Sequence, residues 1–189
     1  MPLEMFYVID YDCQGKTPVC FIICLVSTLV MQSIISISGY GFRKRTCEDV
    51  ASWFMNEFFP RHKIYVEIVH RGLKRESVYG WCDVLGETYR PREFLIELNT
   101  YMEEELYIKT LLHELTHLRQ WVMGSLRMRS GKIYYGQQCT EDYEYKYKAH
   151  EIEARQQEQI LYARYMRGKR SVPDPKVARW FPNRLCSAL

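Results

Sequence analysis

Residues 111–121 read LLHELTHLRQW, and this stretch decides the reading of both fold and chemistry. His113 and His117 stand four residues apart, a spacing that puts two side chains on one face of a helix. Ile108, Leu111, Leu115, Leu118 and Val122 recur at helical spacing on another face. The apolar residues can therefore anchor a helix while the histidines line a cleft. Thr100 and Glu103 form a capping-box pattern ahead of the run, and Gly124 closes it, which predicts a helix over residues 101–123.

Working outward, residues 92–98 (REFLIEL) and 63–69 (KIYVEIV) alternate like strands. Phe94, Ile96 and Leu98 share one face of the first; Ile64, Val66 and Ile68 share one face of the second. A short strand is expected over 78–84. Thr46 and Asp49 mark a helix start; Val50, Trp53, Phe54 and Phe58 repeat at helical spacing, and Pro60 ends the run. Beyond Gly124, residues 125–140 read as a loop. A second long helix is expected over 142–167, ending at Gly168. The basic tail, 169–189, holds Pro173, Pro175 and Pro182 and reads as irregular. His62 and His70 have no partner pattern and read as surface or strand-end residues. The expected fold is α+β, with helices packed on one side of a small sheet.

The chain has 189 residues, 47% of them apolar and 26% charged, which excludes a disordered or low-complexity chain. A length of this order suits one main domain, placed at 35–168. Its net charge of +3 is too mild to argue for a nucleic-acid partner, and the basic tail is the one feature in favour. The cysteines (13, 20, 24, 47, 82, 139 and 186) are odd in number and contain no C-x-x-C pair. A disulfide scaffold is therefore disfavoured and a reducing, intracellular compartment expected.

Residues 1–34 form an apolar N-terminal extension, and no charged residue occurs from Thr17 to Phe42. Two readings of this run stand side by side. As a helix, 18–36 is long enough to span a bilayer, which takes ~20 residues. Arg43, Lys44 and Arg45 would then keep the main domain in the cytoplasm. As a strand, the alternating IISISGYG belongs to the domain's sheet and only 19–30 is surplus, with Met31 a workable start. A secretory signal fits less well, because the segment before the run is acidic and no small-residue cleavage site follows.

His-Glu-Leu-Thr-His, residues 113–117, is the pattern of metal-assisted hydrolysis. Two imidazoles at this spacing can share one Zn²⁺, and Glu114 can reach a water on that ion and take its proton. A third ligand is needed. The extended pattern H-E-x-x-H-x-x-G-x-x-H is absent, because Gln120 and Met123 occupy the later positions. The candidates lie in KAHEIEAR, residues 148–155. Glu151 is the choice; Glu153 points to a nearly opposite helix face, and His150 is a lesser alternative.

HELTH followed by EIEA on a later helix resembles the gluzincin type of zinc metallopeptidase. Several such families carry the third ligand in Glu-x-x-Ala-Asp, and Glu151 to Ala154 match its first four positions. Arg155 stands where those families often have Asp, so a partner that orients the site is missing from the pattern. Residues 35–165 also look like small metallopeptidases encoded by phages and other viruses, loosely termed SprT-like, although true SprT-type proteins use a histidine as third ligand. The resemblance implies a zincin-like fold, one Zn²⁺ held by His113, His117 and Glu151, Glu114 as general base, and a peptide or protein substrate. By the same analogy, strand 92–98 would line the substrate cleft. Tyr134, Tyr135, Tyr143, Tyr147, His150 and Arg155 are candidates to stabilise the oxyanion. Two alternatives to a free peptidase stand: a binding protein with a closed metal site, and a peptidase tethered to a membrane through residues 18–36.

Overall fold

Alternation along two segments builds the centre of the molecule. In β4 (Tyr65–Arg71), Val66 and Ile68 are fully buried while their neighbours are half-buried, and in β6 (Glu93–Asn99), Phe94, Ile96 and Leu98 are fully buried. A period of two sends those side chains to one face, where each buried apolar group contributes about 1.5–3 kcal/mol. In this computed structural model the described residues are 9–11, 18–20, 33–73 and 78–171.

The chain divides into two compact units, Met1–Val30 and Met31–Leu189. In the first, β1 (Ile9–Tyr11) pairs antiparallel with β2 (Pro18–Cys20), Ile9 opposite Cys20. In the second, β3 (Ile34–Gly39) runs parallel to β4, and β4 parallel to β6; β5 (Gly80–Val84) lies antiparallel to β6 at the edge, giving the order β3-β4-β6-β5. Three helices are described: α1 (Lys44–Phe58), α2 (Glu104–Met123) and α3 (Ala149–Ser171). The fold is α+β, a small mixed sheet with helices plus a second sheet.

The strand reading of IISISGYG holds, because Ile34–Gly39 completes the sheet beside β4. A single helix over 18–36 is therefore corrected at both ends, since Pro18–Cys20 is also a strand. Residues 21–32 lie outside the described residues. No helix among the described residues is long and apolar enough to cross a membrane.

Helix α2 is more deeply enclosed than one apolar stripe implies. Ile108, Leu111, Leu115 and Leu118 are buried as expected and Val122 partly so, but Thr110, Leu112, Glu114, Thr116, His117 and Gln120 are buried too. The helix begins at Glu104, and the expected capping box does not form. Thr100 instead donates its hydroxyl to the carbonyl of Tyr40, tying the β6 end to the β3 end. Likewise α1 starts at Lys44 with no side-chain cap from Thr46.

Two further corrections concern the second half. Residues 125–140 are not a plain loop: β7 (Leu126–Arg129), β8 (Lys132–Tyr135) and β9 (Gln138–Cys139) form an antiparallel sheet. Helix α3 begins at Ala149, not 142, and runs through Gly168 to Ser171; 172–189 lie outside the described residues. Before it, Tyr143, Tyr145 and Tyr147 are exposed, and their two-residue period offers no helical face to bury. Helices α2 and α3 run antiparallel: Lys109 stacks its ammonium over Tyr162, and Gln120 bonds the carbonyl of His150.

His70 is at a strand end but in the core, 1% exposed, and its Nε2 shares a 2.6 Å hydrogen bond with the hydroxyl of Tyr107. Burial, aided by Lys44, lowers its pKa below the ordinary 6.5. As pH falls through about 6.5 the unfolded chain gains a proton that the folded chain refuses, so stability falls with it. Urea midpoints measured from pH 7.5 down to 5.5 are expected to decline less steeply in His70→Gln than in the parent chain. Equal slopes would show that His70 takes up its proton in the folded state.

Candidate metal centre

The facing flanks of α2 and α3 bring three groups to one point. Nε2 of His113 and Nε2 of His117 are 3.1 Å apart. Glu151 faces both, with one carboxylate oxygen 3.3 Å from His113 Nε2 and the other 3.4 Å from His117 Nε2. All the donor atoms lie within 4.8 Å of one another. In a tetrahedral site with arms of 2.0–2.1 Å, ligand atoms stand about 3.3–3.4 Å apart, close to the separation of the two nitrogens and of each nitrogen from its nearer carboxylate oxygen. The cluster can hold a metal ion.

The groups behind the ligands explain why the rings point inward. His113 donates Nδ1–H to Glu158 at 3.1 Å, and His117 donates Nδ1–H to Oε1 of Gln120 at 2.9 Å. The amide of Gln120 is itself fixed, because its Nε2 donates to the carbonyl of His150 and to Glu153. Neutral rings that donate outward carry their lone pairs inward. Two such lone pairs and a carboxylate repel unless a positive charge sits among them. Oε2 of Glu151 is buried with no hydrogen-bond donor.

The electrostatics point the same way. His113 is raised to about 9: burial opposes its charge, but the facing carboxylates of Glu151 and Glu158 outweigh that. Glu151 is held well below the usual carboxylate range, against its burial, by the two histidines. His150, half-buried beside them, drops to about 4 through desolvation. The pocket therefore favours a cation at its centre, a proton on His113 or a metal in its place.

Glu114 is 5% exposed and borders a cavity of about 330 Å³ with His117, His150 and Glu151. Burial pushes its carboxyl up to about 7, against the pull of His117 and His113. The opposite wall is β5. Strand β6, expected to line the cleft, is instead paired on both sides by β4 and β5, so the edge strand facing the site is β5.

Of the residues proposed from sequence, His113, His117 and Glu151 come together. Glu153 does not join them; it accepts from Tyr135 at 2.7 Å and from Gln120 at 2.8 Å, bracing the amide behind His117. That bond commits Tyr135 away from the cavity. Arg155 donates to the carbonyl of Lys146. Tyr134, Tyr143 and Tyr147 do not border the cavity, whereas His150 does. Tyr145 was missed. It borders the cavity, and its phenol is pushed well up by partial burial and by Glu151, although much of the residue is exposed. Its tyrosine-rich surroundings hide it in sequence.

Glu158 and Gln120 were also missed, and both had a signal. Glu158 follows Glu151 by seven residues, about two helical turns, so the two share a face. It supplies the carboxylate that Arg155 cannot, one turn further along α3. Gln120 follows His117 by three residues. Glu158→Ala is expected to weaken metal binding about 10–100-fold. Competition with a chromophoric chelator reads this directly. Glu158→Gln, whose amide oxygen still accepts from Nδ1–H, should recover most of the loss; equal affinities in all three chains would exclude the role.

No family model, curated protein or solved structure matches the chain.

Proposed function

We propose that the chain is a zinc-dependent peptidase of zincin-like, gluzincin type, with His113, His117 and Glu151 as ligands. The observation that carries the reading is the convergence of these three side chains beside a cavity that His117, Glu151 and the raised carboxyl of Glu114 border. Two imidazoles and one carboxylate suit zinc best among common ions, and three protein ligands leave a place for solvent. Zinc bound there would polarise the scissile carbonyl and acidify a water molecule.

The chain's own residues supply the remainder. Glu114 takes the proton of the attacking water and returns it to the leaving amine. A carboxyl poised near 7 can both accept and release a proton at neutral pH. Its burial keeps bulk water from competing for that proton. Glu158, Gln120 and Glu153 hold the imidazoles in one tautomer and orientation. His150 and Tyr145, whose rings border the cavity, are the donors placed to stabilise negative charge on the substrate oxygen. Strand β5 offers an edge beside Glu114 along which an extended peptide can pair.

The experiment is hydrolysis of an unstructured protein by the zinc-loaded full chain, with Glu114→Gln as the comparison. Cleavage by the parent and none by the variant supports the reading; equal cleavage, or none by either, overturns it.

A further inference from the structure

We propose that an arginine-lined groove joined to the metal cleft receives an acidic segment of an extended peptide substrate, which rests on the peptidase reading. The groove encloses about 620 Å³ and shares Thr88, Trp121, Leu126 and Met128 with the metal cavity. A ligand lying in one can therefore continue into the other.

Arg90, Arg92, Arg127 and Arg129 line the groove, and no Asp or Glu does. All four are exposed. Among the described residues none of the four has a carboxylate within ion-pair distance. Their contacts leave the charge in place: Arg127 donates Nε–H to the carbonyl of Gly124, while Arg90 and Arg129 lie over the rings of Tyr89 and Tyr134. Four like charges in one groove exceed the net charge of the entire chain, +3. The field is therefore local to this groove and not a property of the whole surface.

The spacing favours an extended peptide. Arg127 and Arg129 are two residues apart on β7, so their side chains leave the same face, about 6.8 Å apart along the strand. That interval matches alternate side chains of a second extended chain. Arg90, in the left-handed region at φ 51°, and Arg92 flank the buried Pro91 and add two more charges. Strands β7 and β5 each have one partner among the described residues, so each presents an edge to the groove or cleft. Trp121 adds apolar surface to the groove that can cover the aliphatic stem of a glutamate.

The test uses the zinc-loaded full chain carrying Glu114→Gln, so that bound peptide stays intact. Fluorescence anisotropy is measured with labelled peptides alternating Glu and Ser, Gln and Ser, or Lys and Ser. At low salt the Glu peptide is expected to bind about tenfold tighter than the Gln peptide, from two or three screened ion pairs. Added salt should close that gap. Arg127→Ala with Arg129→Ala should abolish it while leaving the Gln peptide unchanged, and Arg127→Glu with Arg129→Glu should turn the preference toward the Lys peptide. Equal affinity for the Glu and Gln peptides would overturn the proposal, as would a preference that survives the arginine substitutions. Tighter binding of a single-stranded oligonucleotide of equal charge would reassign the groove to nucleic acid. None of these readouts needs turnover, so failure of the peptidase reading registers separately, as absent hydrolysis by the parent chain.

Discussion

Glu114→Gln is expected to abolish peptide hydrolysis while leaving metal content unchanged. The substitution keeps shape and volume but removes the basic oxygen. General acid–base catalysis by a positioned group is worth roughly 10²–10⁴-fold, and the loss in kcat should fall in that range or beyond it. Zinc content should hold, because Glu114 is not one of the three clustered ligands. Stability should not suffer either. Glu114 is buried, and burial works against its charged form, so a neutral amide there removes an unfavourable term. The measurement is zinc per chain by elemental analysis beside initial rates on one unstructured substrate. If the variant turns over at the parent rate, the proton is handled elsewhere and the mechanism is wrong. If it loses its zinc, Glu114 belongs to the ligand set and the reading of the cluster is wrong.

Glu151→Ala is expected to lose both the metal and the thermal stabilisation that comes with it. An ion that binds only the folded state stabilises it by about 4 kcal/mol at a thousand times its dissociation constant. For a chain of this size that corresponds to a rise of roughly 10 °C in Tm. The parent chain should show this shift when zinc is added, and His113→Ala and Glu151→Ala should show none. Glu153→Gln is the informative control. It stands two residues away on the same helix, yet in the structure its carboxylate braces Gln120 and not the cation. A zinc shift retained in Glu153→Gln and absent in Glu151→Ala assigns the third ligand. The reverse pattern would move the site to the other carboxylate and dismantle the arrangement described here.

The parts of the site that were legible share one property: their spacing along the chain is short. His113 and His117 are one helical turn apart, so any helix through them presents both imidazoles together. Glu151 and Glu153 are two residues apart, about 200° around the helix, so only one can face the metal, and the match of Glu151 to Ala154 to Glu-x-x-Ala marked the first. Glu158 was legible in principle by the same rule, two turns beyond Glu151. Arg155 competes with that signal, because it stands at the position where similar motifs carry an acid. Tyr145 had no such signal. It lies in a short turn of 3₁₀ helix, Tyr145–Tyr147, among exposed tyrosines, and only the path of that turn over Glu151 selects it. The end of the apolar run was ambiguous for another reason. Its composition suits a spanning helix and a strand alike, and the parallel partner that makes Ile34–Gly39 a strand lies some thirty residues away.

The α+β class, the buried faces of β4 and β6, and the helix that carries two histidines one turn apart are all written in the order of residues along the chain. Each depends on periodicity between residues close in the chain, which local geometry enforces before any packing occurs. That β5, not β6, faces the cleft emerges from the packed fold. The packed fold alone set Glu158 against His113, and brought arginines from a loop and a distant strand into one groove. Those are meetings between segments far apart in sequence, set by how apolar faces pack together, and no local spacing rule encodes them.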